Sequence, residues 1–308
     1  MEKLQKPKKK RTWLKVSGII FALLFISAGV WAYSIWNSLT DSIETMHTPI
    51  DRKTDKREEI ISLVKKEPFS VLLLGVDERD GDSGRSDTMI VLTVNPNTKD
   101  VKMVSIPRDT RTDIIGHGTV DKINHAYAFG KAEMAMDTVE HFLDIPIDYY
   151  IKINMEGFKE IVDAVDGITV LNDLDFTSNG THFPIGEITL DGTDALSYTR
   201  MRYEDPRGDF GRQARQRQII EGIIKKGASV TGLTNYQEIF NALGDNIQTN
   251  LAFDDMMDIQ KNYRSASNSI EQLSIDGSGT LINSIYYYIV TDEEKARIQR
   301  LLQEHLEI

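Results

Sequence analysis

The stretch from Val16 to Thr40 carries no charged side chain, and its apolar centre runs from Val16 to Tyr33. Eighteen helical residues at about 1.5 Å each span about 27 Å, close to the hydrocarbon thickness of a bilayer. Trp13, Trp31, Tyr33 and Trp36 sit near its ends, where amphipathic rings favour the interface. Ahead of it, Lys3, Lys6, Lys8, Lys9, Lys10, Arg11 and Lys15 face a single Glu2, which under the positive-inside rule keeps the N-terminus in the cytoplasm. Val30-Trp31-Ala32 loosely resembles a signal-peptide cleavage site, but the bulky Trp31 and Tyr33 and the length of the run favour an uncleaved anchor. The expected organisation is a basic cytoplasmic tail (1–15), one transmembrane anchor (16–36), a juxtamembrane stalk (37–68) and an extracytoplasmic catalytic domain (69–308), in a single-pass protein of the cell membrane.

The stalk expectation rests on the run Asp51 to Glu59, which holds eight charges in nine residues. Cysteine is absent from the 308 residues, which excludes disulfides, thiolate metal sites and a cysteine nucleophile. The first fifteen residues carry a net +6, so the rest carries −17 of the chain's −11. A domain this acidic is a poor nucleic-acid binder, and any positive site on it must be local.

From Phe69 onward, strand and helix patterns interleave without a linker. Phe69 to Leu74 is a continuous apolar run ending in Gly75, the pattern of a buried strand feeding a loop. Met89 to Val94 and Val101 to Ile106 read as an antiparallel hairpin across the turn formers Asn95 to Asp100. Helical spacing follows over 126–143, a strand over 149–154, a helix over 155–165 and a strand over 168–171. A long helix is expected over 210–226 with Asp209 as its N-cap, then helices over 236–243 and 253–263. Strands over 270–275 and 284–290 follow, and Thr291-Asp292-Glu293-Glu294 opens a final helix as a capping box. The economical reading is α/β, a single domain with a mixed central sheet flanked by helices.

Three clusters carry chemistry. Asp77 lies just beyond the first strand and Asp87 just before the second, in the crevice where α/β sheets hold ligands. There the pair suits Mg²⁺ with Arg85 facing an anion, although loop carboxylates that merely cap turns are the plainer reading. Ser105-Ile106-Pro107-Arg108-Asp109 ends another strand with Arg108, and Lys122 and His125 precede a helix. The third cluster is the most informative: Arg200, Arg202, Arg207, Arg212, Arg215 and Arg217 fall within eighteen residues without one lysine, although lysine outnumbers arginine in the chain.

A merely solvated face has no reason to reject lysine, whereas the planar guanidinium fork binds phosphate oxygens in pairs. Arg200 and Arg202 share a face if that segment is extended, and Arg212, Arg215 and Gln216 fall at i, i+3 and i+4 of a helix whose first turn presents free N–H groups. Some of these arginines have Glu204, Asp205 or Glu221 as rival partners. No nucleophile elbow, zinc helix or P-loop is present, and the six histidines are scattered.

Together the stretches Leu72 to Asp77, Arg85 to Met89, Ser105 to Thr110, Lys122 to Tyr127 and Arg200 through Gly208-Asp209-Phe210-Gly211-Arg212 resemble the LytR-CpsA-Psr family, in particular its LytR-type wall teichoic acid transferases. The resemblance implies a mixed sheet flanked by helices and an apolar pocket for a polyprenyl chain. It further implies Mg²⁺-dependent transfer of an anionic glycopolymer from undecaprenyl pyrophosphate to a peptidoglycan sugar hydroxyl, forming a phosphodiester. Carried over by motif, Asp77 and Asp87 are tied to metal and catalysis. Arg108 joins them as catalytic, and Arg85, Arg108, Lys122, Arg200, Arg202, Arg212 and Gln216 surround the pyrophosphate. The alternatives are a lipid-pyrophosphate hydrolase and a non-catalytic polyprenyl-lipid-binding regulatory protein. A fifteen-residue cytoplasmic tail is too short for a DNA-binding domain.

Overall fold

The computed structural model describes residues 33, 46–50, 52, 54, 56–57, 61–77, 84–229, 239 and 244–308. Strands β1 (Phe69–Val76), β2 (Ser86–Asn95), β3 (Asp100–Ser105), β6 (Tyr149–Ile153), β11 (Ile247–Thr249) and β12 (Ile270–Ser274) form one sheet in the order β11-β6-β1-β2-β3-β12. The pairs β1–β2, β2–β3 and β11–β6 are antiparallel, whereas β6 runs parallel to β1 and β12 parallel to β3. The sheet is therefore mixed, as expected. The continuous apolar runs of β1 and β2 follow from coverage of both faces.

On one face Leu72, Leu74, Met89, Val91 and Val104 pack against helices α1 (His125–Leu143) and α6 (Asp292–Leu306). On the other, Val71, Ile90, Leu92, Val101 and Met103 meet Ile220 and Ile224 of α4 (Asp209–Ser229) and Ile259 and Tyr263 of α5 (Phe253–Tyr263). Thr291 caps α6 by accepting from the Glu294 N–H, the expected N-terminal signal.

A smaller apolar cluster lies beside the sheet, among α2 (Met155–Ala164), β7 (Ile168–Asn172), β8 (Phe176–Ser178), β9 (Thr181–Phe183), β10 (Gly186–Leu190) and α3 (Gly192–Arg200). Hairpins β4 (Arg111–Ile114)–β5 (Thr119–Lys122) and β13 (Ser278–Ile282)–β14 (Ile285–Ile289) complete the fold. The long helix starts at Asp209 itself, so that residue is the first helical position and not the cap before it.

The anchor expected over 16–36 lies outside the described residues apart from Tyr33, and no described helix is long and apolar enough to cross a membrane. The helix expected over 236–243 also lies outside them, except for residue 239. The described part of the 37–68 segment lies on the domain. Met46 is buried, Thr48 donates to the Thr249 carbonyl at 2.8 Å, and Arg52 donates to Asp137 at 2.6 Å and to the Ile147 carbonyl at 2.8 Å. The charge run is thus partly spent on ion pairs with the domain.

Candidate active site

The C-terminal ends of β1 and β3, the start of β2 and the first turn of α4 meet at one end of the sheet, and most of the sequence-derived candidates gather there. Gly75 is paired with Thr88 across β1 and β2, next to a register shift between Gly75 and Val76. A Cβ on Gly75 would lie 2.9 Å from the Thr88 Cβ, so glycine is what lets the threonine side chain cover the strand there. Thr88 Oγ1 in turn accepts a hydrogen bond from Gln216 Nε2 at 2.9 Å, which ties the second turn of α4 to the entrance of β2.

Asp87 precedes Thr88 and accepts from Arg108 Nη1 at 2.7 Å through its Oδ1. Pro107 lies two residues past the end of β3 and fixes the backbone direction just before Arg108. Burial works against the charge of Arg108, yet its pKa is raised, by Asp87 first and then by Asp209 and Asp109. Asp109 lies 3.8 Å from Arg108 Nε and accepts from Lys122 Nζ at 2.7 Å, which brings Lys122 in behind Arg108.

Arg212 sits in the first turn of α4 with Nη2 2.5 Å from Asp209 Oδ1. Its Nε is buried and has no hydrogen-bond partner among the described residues. Burial lowers its pKa, and the nearby charges of Arg108 and Arg202 push the same way against Asp209 and Asp87. Arg108, Arg202 and Arg212 therefore share one electrostatic neighbourhood. A buried guanidinium with an orphaned N–H, crowded by two like charges, is a site that gains from an anion.

Arg85 and Arg202 are exposed, and neither makes an ion pair among the described residues. Arg200 ends α3 and donates to the Met155 sulfur at 3.4 Å, and Arg202 lies in the loop that follows with its guanidinium 5.6 Å from the Tyr203 ring. Arg200 is helical, so the shared face of an extended pair does not exist. The N-cap that starts α3, Asp191 accepting from the Asp194 N–H, is the signal that could have revealed it.

Not all six arginines converge. Arg215 is 1% exposed and turns away from the strand ends; its Nη1 bonds Asp205 at 2.6 Å, while Nε and Nη2 donate to the Tyr198 and Met201 carbonyls at 3.1 and 2.6 Å. Arg207 is held by Asp205 and Asp173. Asp205 is one of the rival carboxylates that the sequence offers Arg215, and both arginines are structural. Arg217 reaches the end of β3 instead, donating to Ser105 Oγ at 2.9 Å. His125 is satisfied by Asp121 at 2.7 Å.

The donor set suits a hard cation. Asp87 Oδ2 makes no hydrogen bond among the described residues, and Asp77 follows β1 on the neighbouring strand. Buried Ser86 Oγ, beside Asp87 in sequence and paired through its backbone with Val76 just ahead of Asp77, has no partner among the described residues. No group of three or more carboxylate or histidine ligands occurs among the described residues. Two carboxylates completed by water and phosphate oxygens is the arrangement Mg²⁺ accepts, in contrast to an all-protein calcium cage.

The same face of the sheet continues into a lipophilic space. Arg212, Gln216, Ile220 and Ile224 recur every four residues along α4, so the face that starts at the charged cluster ends in isoleucines. Ile224 lines an apolar cavity of about 290 Å³ with Val71, Leu92, Val101, Met256 and Ile259.

The sequence pattern of the LytR_cpsA_psr family matches residues 33–304. The chain is 52% identical over 303 residues to polyisoprenyl-teichoic acid–peptidoglycan teichoic acid transferase TagU of Bacillus subtilis strain 168, covering 98% of this chain and 99% of that protein. The crystal structure of B. subtilis TagU is 51% identical with a TM-score of 0.65, covering 79% of this chain and 98% of that one. A structure described as TagT bound to LI-WTA is 31% identical with a TM-score of 0.73, covering 85% of this chain and all (100%) of that one.

Proposed function

The chain belongs to the LytR-CpsA-Psr family, and we propose that it is a transferase moving an anionic glycopolymer of the wall teichoic acid kind from undecaprenyl pyrophosphate to a peptidoglycan sugar hydroxyl. The observation that carries this reading is the convergence of Arg108, Arg202 and Arg212 around Asp87, with the Arg212 Nε buried and without a partner among the described residues, at the polar end of a face whose other end is an apolar cavity. A long apolar chain bearing a diphosphate head has that same polarity along its length.

In the proposed reaction the acceptor hydroxyl oxygen forms a bond to the phosphorus next to the glycopolymer. The bond from that phosphorus to the bridging oxygen breaks, and polyprenyl phosphate leaves with the electron pair. Charge grows on the leaving phosphate, and arginines fixed by their own partners stabilise it without reorganising. Arg108 is held by Asp87 and backed by Asp109 and Lys122, while the N–H groups of the first turn of α4 add their dipole. Asp77 or Asp87 takes the hydroxyl proton. When bound, Mg²⁺ held by Asp77 and Asp87 would neutralise charge on the diphosphate oxygens. Arg85 and Arg200, exposed at the rim, suit the outer phosphate oxygens of the arriving substrate. The membrane anchor and the extracytoplasmic location of the domain belong to this proposal, since both substrates lie outside the cytoplasm.

Full-length protein incubated with a polyprenyl-pyrophosphate glycan, peptidoglycan and Mg²⁺ tests it. The account expects a new glycan–peptidoglycan phosphodiester and released polyprenyl phosphate, both lost in Arg108→Ala. Free phospho-glycan alone would identify a hydrolase. Wall polymer content restored in a deletion strain by Arg108→Ala would identify a lipid-binding regulator.

A further inference from the structure

At the far end of the sheet from the arginine cluster, a polar cleft of about 500 Å³ opens beside the apolar cavity and shares Ala228, Arg264 and Ser267 with it. Its charged lining among the described residues is entirely cationic: Lys66 in the turn before β1, Lys225 on α4, Lys261 on α5, and Arg264 in the turn that follows α5. Lys225 is paired with Glu221 at 2.6 Å, and the other three make no ion pair among the described residues. In a chain of net charge −11 such a cluster is a local reversal of sign.

The starts of β1 and β12 are at this end, because Lys66 and Asn268, which line the cleft, come just before them.

We infer that this cleft is a docking surface for anionic phospholipid headgroups, which seats the mouth of the apolar cavity against the bilayer. Charge complementarity favours a membrane surface, since lysine and arginine side chains are drawn to an anionic bilayer. Position argues against the glycopolymer as occupant, because a glycan attached to the diphosphate leaves from the opposite end of the sheet. The inference rests on the proposed lipid substrate in one respect: a polyprenyl tail in the cavity would pass directly into the membrane at this mouth.

The chain has no cysteine, so one introduced cysteine can be labelled uniquely. Full-length Ser265→Cys, in the cleft, and Leu281→Cys, on the β13–β14 hairpin at the catalytic end, carry a fluorophore and are placed in vesicles containing headgroup spin-labelled lipid. In phosphatidylglycerol vesicles, quenching at position 265 is expected to exceed that at 281 at least threefold. It should fall by half or more in pure phosphatidylcholine, at high salt, or on adding Lys225→Glu and Lys261→Glu.

Equal quenching at the two positions, or quenching indifferent to lipid charge and to the double substitution, overturns the inference. Transfer in detergent, where no bilayer surface exists, separates this from the catalytic reading: the double variant should work as well as the wild type there. A wild type inactive in detergent counts against the transferase reading and leaves the quenching result standing by itself.

Discussion

Gln216 donates to the Thr88 hydroxyl at 2.9 Å, a hydrogen bond that joins the helix that carries Arg212 to the strand that carries Asp87 at the catalytic end, where the apolar packing of Ile220 and Ile224 gives way to polar groups. The geometry of the site depends on it, and it depends in turn on Gly75. Gly75→Ala would set a Cβ 2.9 Å from the Thr88 Cβ and push the threonine off its position. The expected outcome is a stability loss of about 1–3 kcal/mol from overpacking, with a larger proportional loss of transfer than of folded protein. Chemical denaturation alongside turnover checks it.

Arg108→Ala should leave the fold nearly intact, because its Asp87 partner has a half-exposed side chain, and exposed pairs contribute about 0–1 kcal/mol. Transfer should fall by a factor on the order of 10² to 10³, the cost of removing one fixed donor from a developing anion. Steady-state rates with thermal melting separate the two effects.

Arg215→Ala should do the reverse. It takes Arg215 Nη1 away from the buried Asp205 carboxylate, which keeps Arg207, and it leaves the Tyr198 and Met201 carbonyls without their donor, a loss on the order of 3 kcal/mol. Burial opposes ionisation of Asp205, but hydrogen bonds from Arg207 and Arg215 hold it well below the usual carboxylate range. Its stabilising contribution is thus present above the unfolded value near pH ~4 and is lost as pH falls through the folded value. Asp205→Asn should be less stable at neutral pH and show a shallower loss of stability on acidification, read from denaturation midpoints between pH 7 and 2.

The contrast between Arg212 and Arg215 marks how far the sequence could be read. Gly-Asp-Phe-Gly-Arg and Ile-Pro-Arg-Asp stand out because they place guanidinium groups where strands end and a helix begins. The strands were legible because a continuous apolar run bounded by turn formers fits little besides a buried strand, and the long helix because its isoleucines recur at helical spacing. Arg215 lies three residues from Arg212, and only the packing of Asp205 against α4 decides that it turns inward, a contact between segments that no local pattern encodes. Lys122 was placed by a motif, but its link to Arg108 through Asp109 needed the β4–β5 hairpin, whose strands of four residues each are too short to show a period. Thr88 was equally hidden, since its role exists only through Gly75 and Gln216.

His305 is buried on α6, with Nδ1 2.7 Å from Thr93 Oγ1 and Nε2 3.0 Å from Asp100. Burial lowers its pKa despite Asp100, so the unfolded chain takes up its proton first as pH falls. Stability linked to this residue is full above about pH 6.5 and declines below it. His305→Gln, which cannot titrate, should flatten the change in melting temperature between pH 7.5 and 5.

Ile224→Trp tests the apolar cavity of about 290 Å³, which the larger ring would narrow at its α4 wall. Affinity for a long polyprenyl diphosphate should drop at least tenfold while that for a two-isoprene diphosphate changes little, measured by competition in detergent.

The central claim is that the arginines at the strand ends hold a diphosphate. Calorimetric titration of full-length protein in detergent with polyprenyl diphosphate and polyprenyl monophosphate, for the wild type and Arg212→Gln, tests it most directly. The account predicts that the wild type binds the diphosphate at least tenfold more tightly than the monophosphate, and that Arg212→Gln abolishes the difference. Equal affinity for the two lipids, or a preference untouched by Arg212→Gln, would contradict it.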